Sequence, residues 1–149
     1  MKLEHLIQAY NFNNIQANIK EEYKEAEERA GVIEFDKNIN ASYLLDDEDI
    51  IVDMIIFCNC IELPARSSNK DLTIINQIDY TIRIINVLQK TIELISDVPK
   101  KEVNMILEKL GLFDGSFKEG KQIKHLGHSF SIIIYEGLLK FEIKELVNE

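Results

Sequence analysis

Leu3, Leu6, Ile7 and Tyr10 recur at the spacing of one helix face, which predicts a helix at the start of the chain. The stretch NFNN (11–14) weakens that pattern, and Ile15, Ile19, Tyr23, Ala26 and Ala30 resume it with acids and lysines on the other side. The expectation is one kinked helix or two in succession, ending at Gly31, a residue suited to the position just past a helix. VIEF (32–35) reads as a short strand and DKNINAS (36–42) as a loop. Next comes LLDDEDIIVDMIIFCNC (44–60), where four acids lead into an almost wholly apolar run. Asp46 or Asp47 suits the N-cap of a helix running to about Leu63, and acids in its first turn favour the helix dipole. Ile51, Ile55 and Cys58 have helical spacing, as do Ile50, Met54 and Ile61, and Pro64 follows the predicted end.

ARSSNK (65–70) reads as a loop and Asp71 as a cap. Ile75, Ile78, Ile82, Ile85 and Ile92 form a heptad-like seam, widened by Ile74, Ile84 and Leu88, which predicts a long helix over 72–95 buried along most of one side. Asp97 and Pro99 open another helix with Val103, Ile106, Leu107 and Leu110 inward, and Gly111 stops it. The period then falls to two. SFSIIIY (129–135) and LLKFEIK (138–144) alternate, with Glu136 and Gly137 as a tight turn between them, and KQIKHLG (121–127) supplies a third strand. The predicted fold is α+β in one domain spanning 1–149: a predominantly helical body of four to five helices, with a C-terminal antiparallel β-hairpin or small sheet packed on it.

The 149 residues are enough to bury a core without disulfides or metal. The start of the chain lacks a signal-peptide pattern, and polar residues break every apolar run before the ~20 residues a membrane span needs. The expected compartment is the cytoplasm. Cys58 and Cys60 are two apart, a spacing that points them to nearly opposite sides of a helix, so they read as inert thiols in a reducing environment.

Charge adds a sharper constraint. Residues 1–64 hold fourteen acids and five Lys or Arg, while residues 65–149 hold twelve of each. The whole net charge of −9 therefore belongs to the first 64 residues. Its densest blocks are KEEYKEAEER (20–29) and DDED (46–49). Binding a phosphate backbone needs a basic stripe, so nucleic acid is not an expected partner. The basic clusters, Lys100 with Lys101 and Lys118 with Lys121 and Lys124, are too small to supply one.

No phosphate-binding glycine loop and no nucleophile elbow can be picked out. His125 and His128 lack a third ligand at metal spacing, and His5 is isolated. Ser67 and Ser68 beside Arg66 read as loop residues. The sharpest chemical candidate is acidic. On a helix Glu21 and Glu25 share a face with Glu22 beside them, and Asp49 and Asp53 are again four apart. Two such pairs facing each other in a bundle suit Mg²⁺, which takes oxygen ligands.

That E-E-x-x-E arrangement, followed by an acidic pair ahead of an apolar run, resembles the all-α nucleotide pyrophosphohydrolases of the MazG type over residues 15–63. The resemblance implies Mg-dependent hydrolysis of nucleoside triphosphates, with Glu22, Glu25, Asp49 and Asp53 as ligands and Arg66 or Lys70 on the substrate phosphates. The sequence departs from the family's second motif, E-x-x-D, because Ile50 stands three before Asp53 and the acid lies one place earlier.

Two functional readings follow. The leading one is a small acidic intracellular binding protein that neutralises a protein partner, of the immunity-protein, antitoxin or inhibitor type. Its binding face comprises Glu21, Glu22, Glu25, Asp46, Asp47, Glu48 and Asp49, with no catalytic residue and no cofactor. The partner is a basic protein surface such as that of a toxin or nuclease, and neither nucleic acid nor membrane. The alternative is the Mg-dependent pyrophosphohydrolase. The two separate on whether the carboxylates converge on one metal or share an exposed side.

Overall fold

The chain begins with helix α1 (Leu3–Phe12) and then lays down four antiparallel strands: β1 (Asn18–Glu25), β2 (Glu28–Asp36), β3 (Ile39–Leu45) and β4 (Ile51–Asn59). Helices α2 (Lys70–Ser96) and α3 (Lys100–Lys109) follow, then a short 3-10 turn (Ser116–Glu119) and the strands β5 (Lys121–His125), β6 (His128–Tyr135) and β7 (Leu138–Glu145). The computed structural model describes residues 1–25, 28–60 and 70–147, and of residues 25, 28 and 70–74 the backbone alone. The seven strands form one antiparallel sheet in the order β1-β2-β3-β4-β7-β6-β5. Two meanders are thus joined where β4 pairs with β7, from Asp53 opposite Lys144 to Asn59 opposite Leu138.

This corrects the expected architecture. The predominantly helical body of four to five helices is replaced by a large sheet with three α-helices among the described residues. The helical reading of residues 15–30 fails first: β1 and β2 occupy that stretch, paired from Asn18 opposite Glu34 to Glu25 opposite Glu28. Gly31 lies inside β2, not after a helix. A Cβ there would meet the Tyr43 hydroxyl and the Glu21 carbonyl at 2.2 and 2.5 Å, so cross-strand approach demands glycine. Of residues 36–42, Asp36 ends β2, residues 37–38 form a turn and Ile39 begins β3. The helix expected from Asp46 to Leu63 is instead, over its described residues to Cys60, a turn followed by β4. The C-terminal hairpin does form, as β6 and β7 joined through Glu136 and Gly137 at φ 50° and 80°, with β5 beside it.

The sheet has one covered face. Alternate residues of β3, β4 and β7 are buried, among them Ala41, Tyr43, Met54, Ile56, Phe141 and Ile143, and they join the helices in one apolar cluster. Tyr10 of α1 stacks edge-on against Phe35 of β2, with ring centroids 5.0 Å apart. Its hydroxyl is hydrogen-bonded to Thr91 of α2, and Thr91 in turn donates to the Val87 carbonyl at 2.6 Å. Tyr80 anchors α2 to the sheet end by donating to the Asn59 carbonyl at 2.8 Å.

Helix α2 departs from its predicted burial. Ile84, Leu88 and Ile92 are in the core, but Ile75, Ile78 and Ile82 at its N-terminal end are half or more exposed. Among the described residues no helix is long and apolar enough to cross a membrane. The predicted loop 65–69 and the Leu63–Pro64 helix end lie outside the described residues, as does the capping side chain of Asp71.

Candidate functional site

The two acidic blocks arrive at one corner of the sheet by strand pairing. Lys24 of β1 sits opposite Arg29 of β2, and Arg29 sits opposite Leu45 of β3. Glu25 and Asp46 lie one step beyond that row, so the tip of β1 and the β3–β4 turn are about 10 Å apart across two strand spacings. Glu21, Glu22, Asp47 and Glu48 are exposed, and Asp46 and Asp49 are partly so. The Glu25 side chain lies outside the described residues.

Each acid has a local structural reason for its place. Asp46 does not cap a helix. Its Oδ1 accepts from the backbone N–H groups of Glu48 and Ile50, at 2.9 and 3.0 Å, and so closes the turn. Asp49 takes a positive φ of 65°, which an aspartate tolerates better than most residues, and its carboxylate pairs with Arg29. The chain's first residues are tied to the same turn: the Leu3 N–H donates to the Asp49 carbonyl at 3.3 Å, and the Ile51 N–H donates to the Met1 carbonyl at 3.0 Å. On β1, Tyr23 donates to the Glu21 carboxylate, which accounts for a phenol raised above its ordinary pKa.

Between α1 and the inner face of β1–β3 a cleft of about 500 Å³ opens at this corner. Leu3, Ile7, Ile19 and Leu45 give it an apolar lining, and Tyr43 forms a wall. Lys2, Lys24 and Arg29 alternate with Glu4, Glu22 and Asp49 around it, so the local acidic excess comes from the adjoining turn. The Tyr43 hydroxyl lies over Gly31 toward Glu22 and Arg29. Burial raises its pKa, Glu22 adds to that, and Arg29 opposes it.

The metal arrangement required by the alternative reading is not assembled. Its carboxylate pairs depend on helices at 15–30 and 46–63, and the described residues of both stretches contain strand and turn but no helix. Glu22 and Asp49 reach the cleft, but Asp53 sits opposite Leu44 and Lys144 on the far, open face of the sheet. Among the described residues no group of three or more His, Cys, Asp or Glu is placed to hold a metal. Arg66 lies outside the described residues, as does the side chain of Lys70. His125 and His128 face each other across the two-residue turn between β5 and β6, and His125 pairs with Glu102 of α3 at 3.3 Å. Cys58 and Cys60 are both free, and burial raises both thiols.

No family model, characterised protein or solved structure matches this chain.

Three features of the corner escape a reading of the sequence: the Arg29–Asp49 pair, Tyr43 as a wall, and Gly31 as the space its hydroxyl occupies. Only GVIEF read as a strand points to them, because a glycine within a strand marks close approach of another group. A fourth feature lies away from the corner. Asp53 stands beside Glu142 on the open sheet face, and burial, then the hydrogen bond and charge of Glu142, push its carboxyl up to about 6 against the pull of Lys144.

Proposed function

We propose that this protein is a small acidic binding protein that neutralises a basic protein partner, in the manner of an immunity protein, antitoxin or inhibitor, in a reducing cytoplasm. The observation that carries the reading is convergence. Two acidic blocks more than twenty residues apart in sequence share one corner, beside a cleft with an apolar lining. Exposed like charges grouped in this way accelerate encounter with an opposite surface and suppress wrong partners. An adjoining concave apolar surface adds the short-range burial that holds a complex after encounter. The two free thiols accord with a reducing compartment.

The test is capture of a partner on the immobilised protein, followed by association rates at low and high salt. Neutralising Asp46→Asn, Asp47→Asn and Glu48→Gln together is expected to slow association at low salt and to leave the dissociation rate nearly unchanged. Equal rates and equal salt dependence for the variant and the parent protein overturn the reading. Nucleoside triphosphates with Mg²⁺ or Mn²⁺ are expected to give no turnover. Clear hydrolysis abolished by Glu22→Gln overturns the reading in favour of an enzyme.

A further inference from the structure

We propose that the cleft beside the acidic corner is a socket for an arginine side chain of the partner, with its stem along Ile7 and Ile19 and its guanidinium held by the Glu22 carboxylate and the Tyr43 hydroxyl. This rests on the binding-protein reading and names the chemistry of its anchor. Tyr43 as a residue is 4% exposed, while its hydroxyl is open to the cleft and makes no hydrogen bond to any described residue. A phenol so placed can bond a group that enters the cleft. Glu22, beside it, has no ion pair or hydrogen bond among the described residues either, whereas Asp49 is already engaged by Arg29. Two adjacent groups able to accept therefore face the cleft without a donor among the described residues.

The required ligand donates several N–H groups and carries positive charge. It must also cover apolar surface, because Ile19 is 41% exposed at the mouth and Leu3 and Leu45 form the floor. Arginine meets both needs. Its planar fork donates to two acceptors at once, it is less strongly hydrated than an ammonium, and its methylene stem packs on aliphatic side chains. Lys2 and Lys24 are both exposed, and such long stems carry their charge into water, so they need not oppose the incoming cation. A neighbouring turn with four acids raises the local concentration of such a ligand before contact.

The test uses the full chain, isotopically labelled, titrated with acetyl-arginine methylamide and with its uncharged citrulline isostere while NMR shifts are followed. The expected result is shifts centred on Tyr43, Ile7 and Ile19, with the isostere binding at least about fivefold more weakly. Glu22→Gln is expected to weaken the arginine probe by about tenfold. Tyr43→Phe should weaken it less, since the ring and the Glu22 carboxylate remain. An unchanged spectrum away from the cleft shows that each variant is folded. Glu108→Gln, on the exposed side of α3 and outside the cleft, should leave probe affinity unchanged. Shifts confined to residues 46–48, equal binding of the isostere, or undiminished binding by Glu22→Gln each overturn the socket. Binding of free L-arginine but not of the blocked probe also overturns it, in favour of a small-molecule site. Association rates of the triple turn variant test the acidic-face reading separately, so either idea can fail while the other stands.

Discussion

Asp53 shows how one side chain makes stability depend on pH. Its folded pKa of about 6 lies above the ordinary 3.8, so between those values the folded chain binds the extra proton. The contribution of this group is therefore fully present below about pH 4 and is lost as pH rises through 6. Asp53→Asn is expected to stabilise the protein at pH 7.5 by about 1 kcal/mol, a value already reduced for solvent screening, and to have little effect at pH 4. Urea melts at the two pH values check this, and equal shifts at both would show that burial and Glu142 do not raise the Asp53 carboxyl. A second residue-scale asymmetry involves Tyr10 and Thr91. Thr91 keeps its bond to Val87 when Tyr10 becomes Phe, whereas Thr91→Val leaves a fully buried phenol without an acceptor. Thr91→Val should cost about 1–3 kcal/mol, and Tyr10→Phe less, by chemical denaturation.

At the scale of elements, the two C-terminal hairpins use two-residue turns with both residues at positive φ, 44° and 82° for Leu126 and Gly127. A leucine at that φ is strained, and Leu126 is 69% exposed, so it contributes little packing in return. Leu126→Asn supplies the residue such turns prefer and should raise the melting temperature by roughly 2–4 °C. An unchanged or lower value by thermal melt would mean that the leucine has contacts its exposure does not suggest. These hairpins, with α1, α2 and α3, were legible because their periods are unambiguous. The first meander was not. KEEYKE is rich in residues that favour helices, and Ile15, Ile19 and Tyr23 fit a helical period by coincidence, so the pairing of β1 with β2 overrides local preference. The run from Ile50 to Cys60 is equally ambiguous by period. Its four isoleucines and one valine favour a strand, and the nine residues of β4 suit a strand better than a helix. The acidic blocks lie near each other in the fold, but not as helix faces: the corner that gathers them is made by strand register, which no spacing of carboxylates encodes.

Among the described residues, the chain places its helices on one side of the sheet and leaves the other side open, with Phe57 beneath the Lys140 ammonium at 5.7 Å. Its charge is equally one-sided, since the acidic excess belongs to the first meander and the second is close to balance. Association with a basic partner should therefore fall steeply with ionic strength, while thermal stability changes little over the same range. Parallel stopped-flow and melting measurements between low and high salt decide this, and a salt-insensitive rate would remove electrostatic steering from the account.

The β4–β7 seam has a consequence for how the protein is made. A strand at the centre of the finished sheet, ending at Asn59, is translated well before the neighbour that completes it, which begins at Leu138. At about 5–20 residues per second, β4 waits on the order of 4–17 s with one edge unpaired. Ile51, Met54 and Ile56, all buried at completion, belong to that waiting strand. A nascent chain stalled before Leu138 should therefore be a strong client for chaperones and prone to aggregate, whereas one released after Glu145 should not, a difference that ribosome-stalled chains of graded length would register.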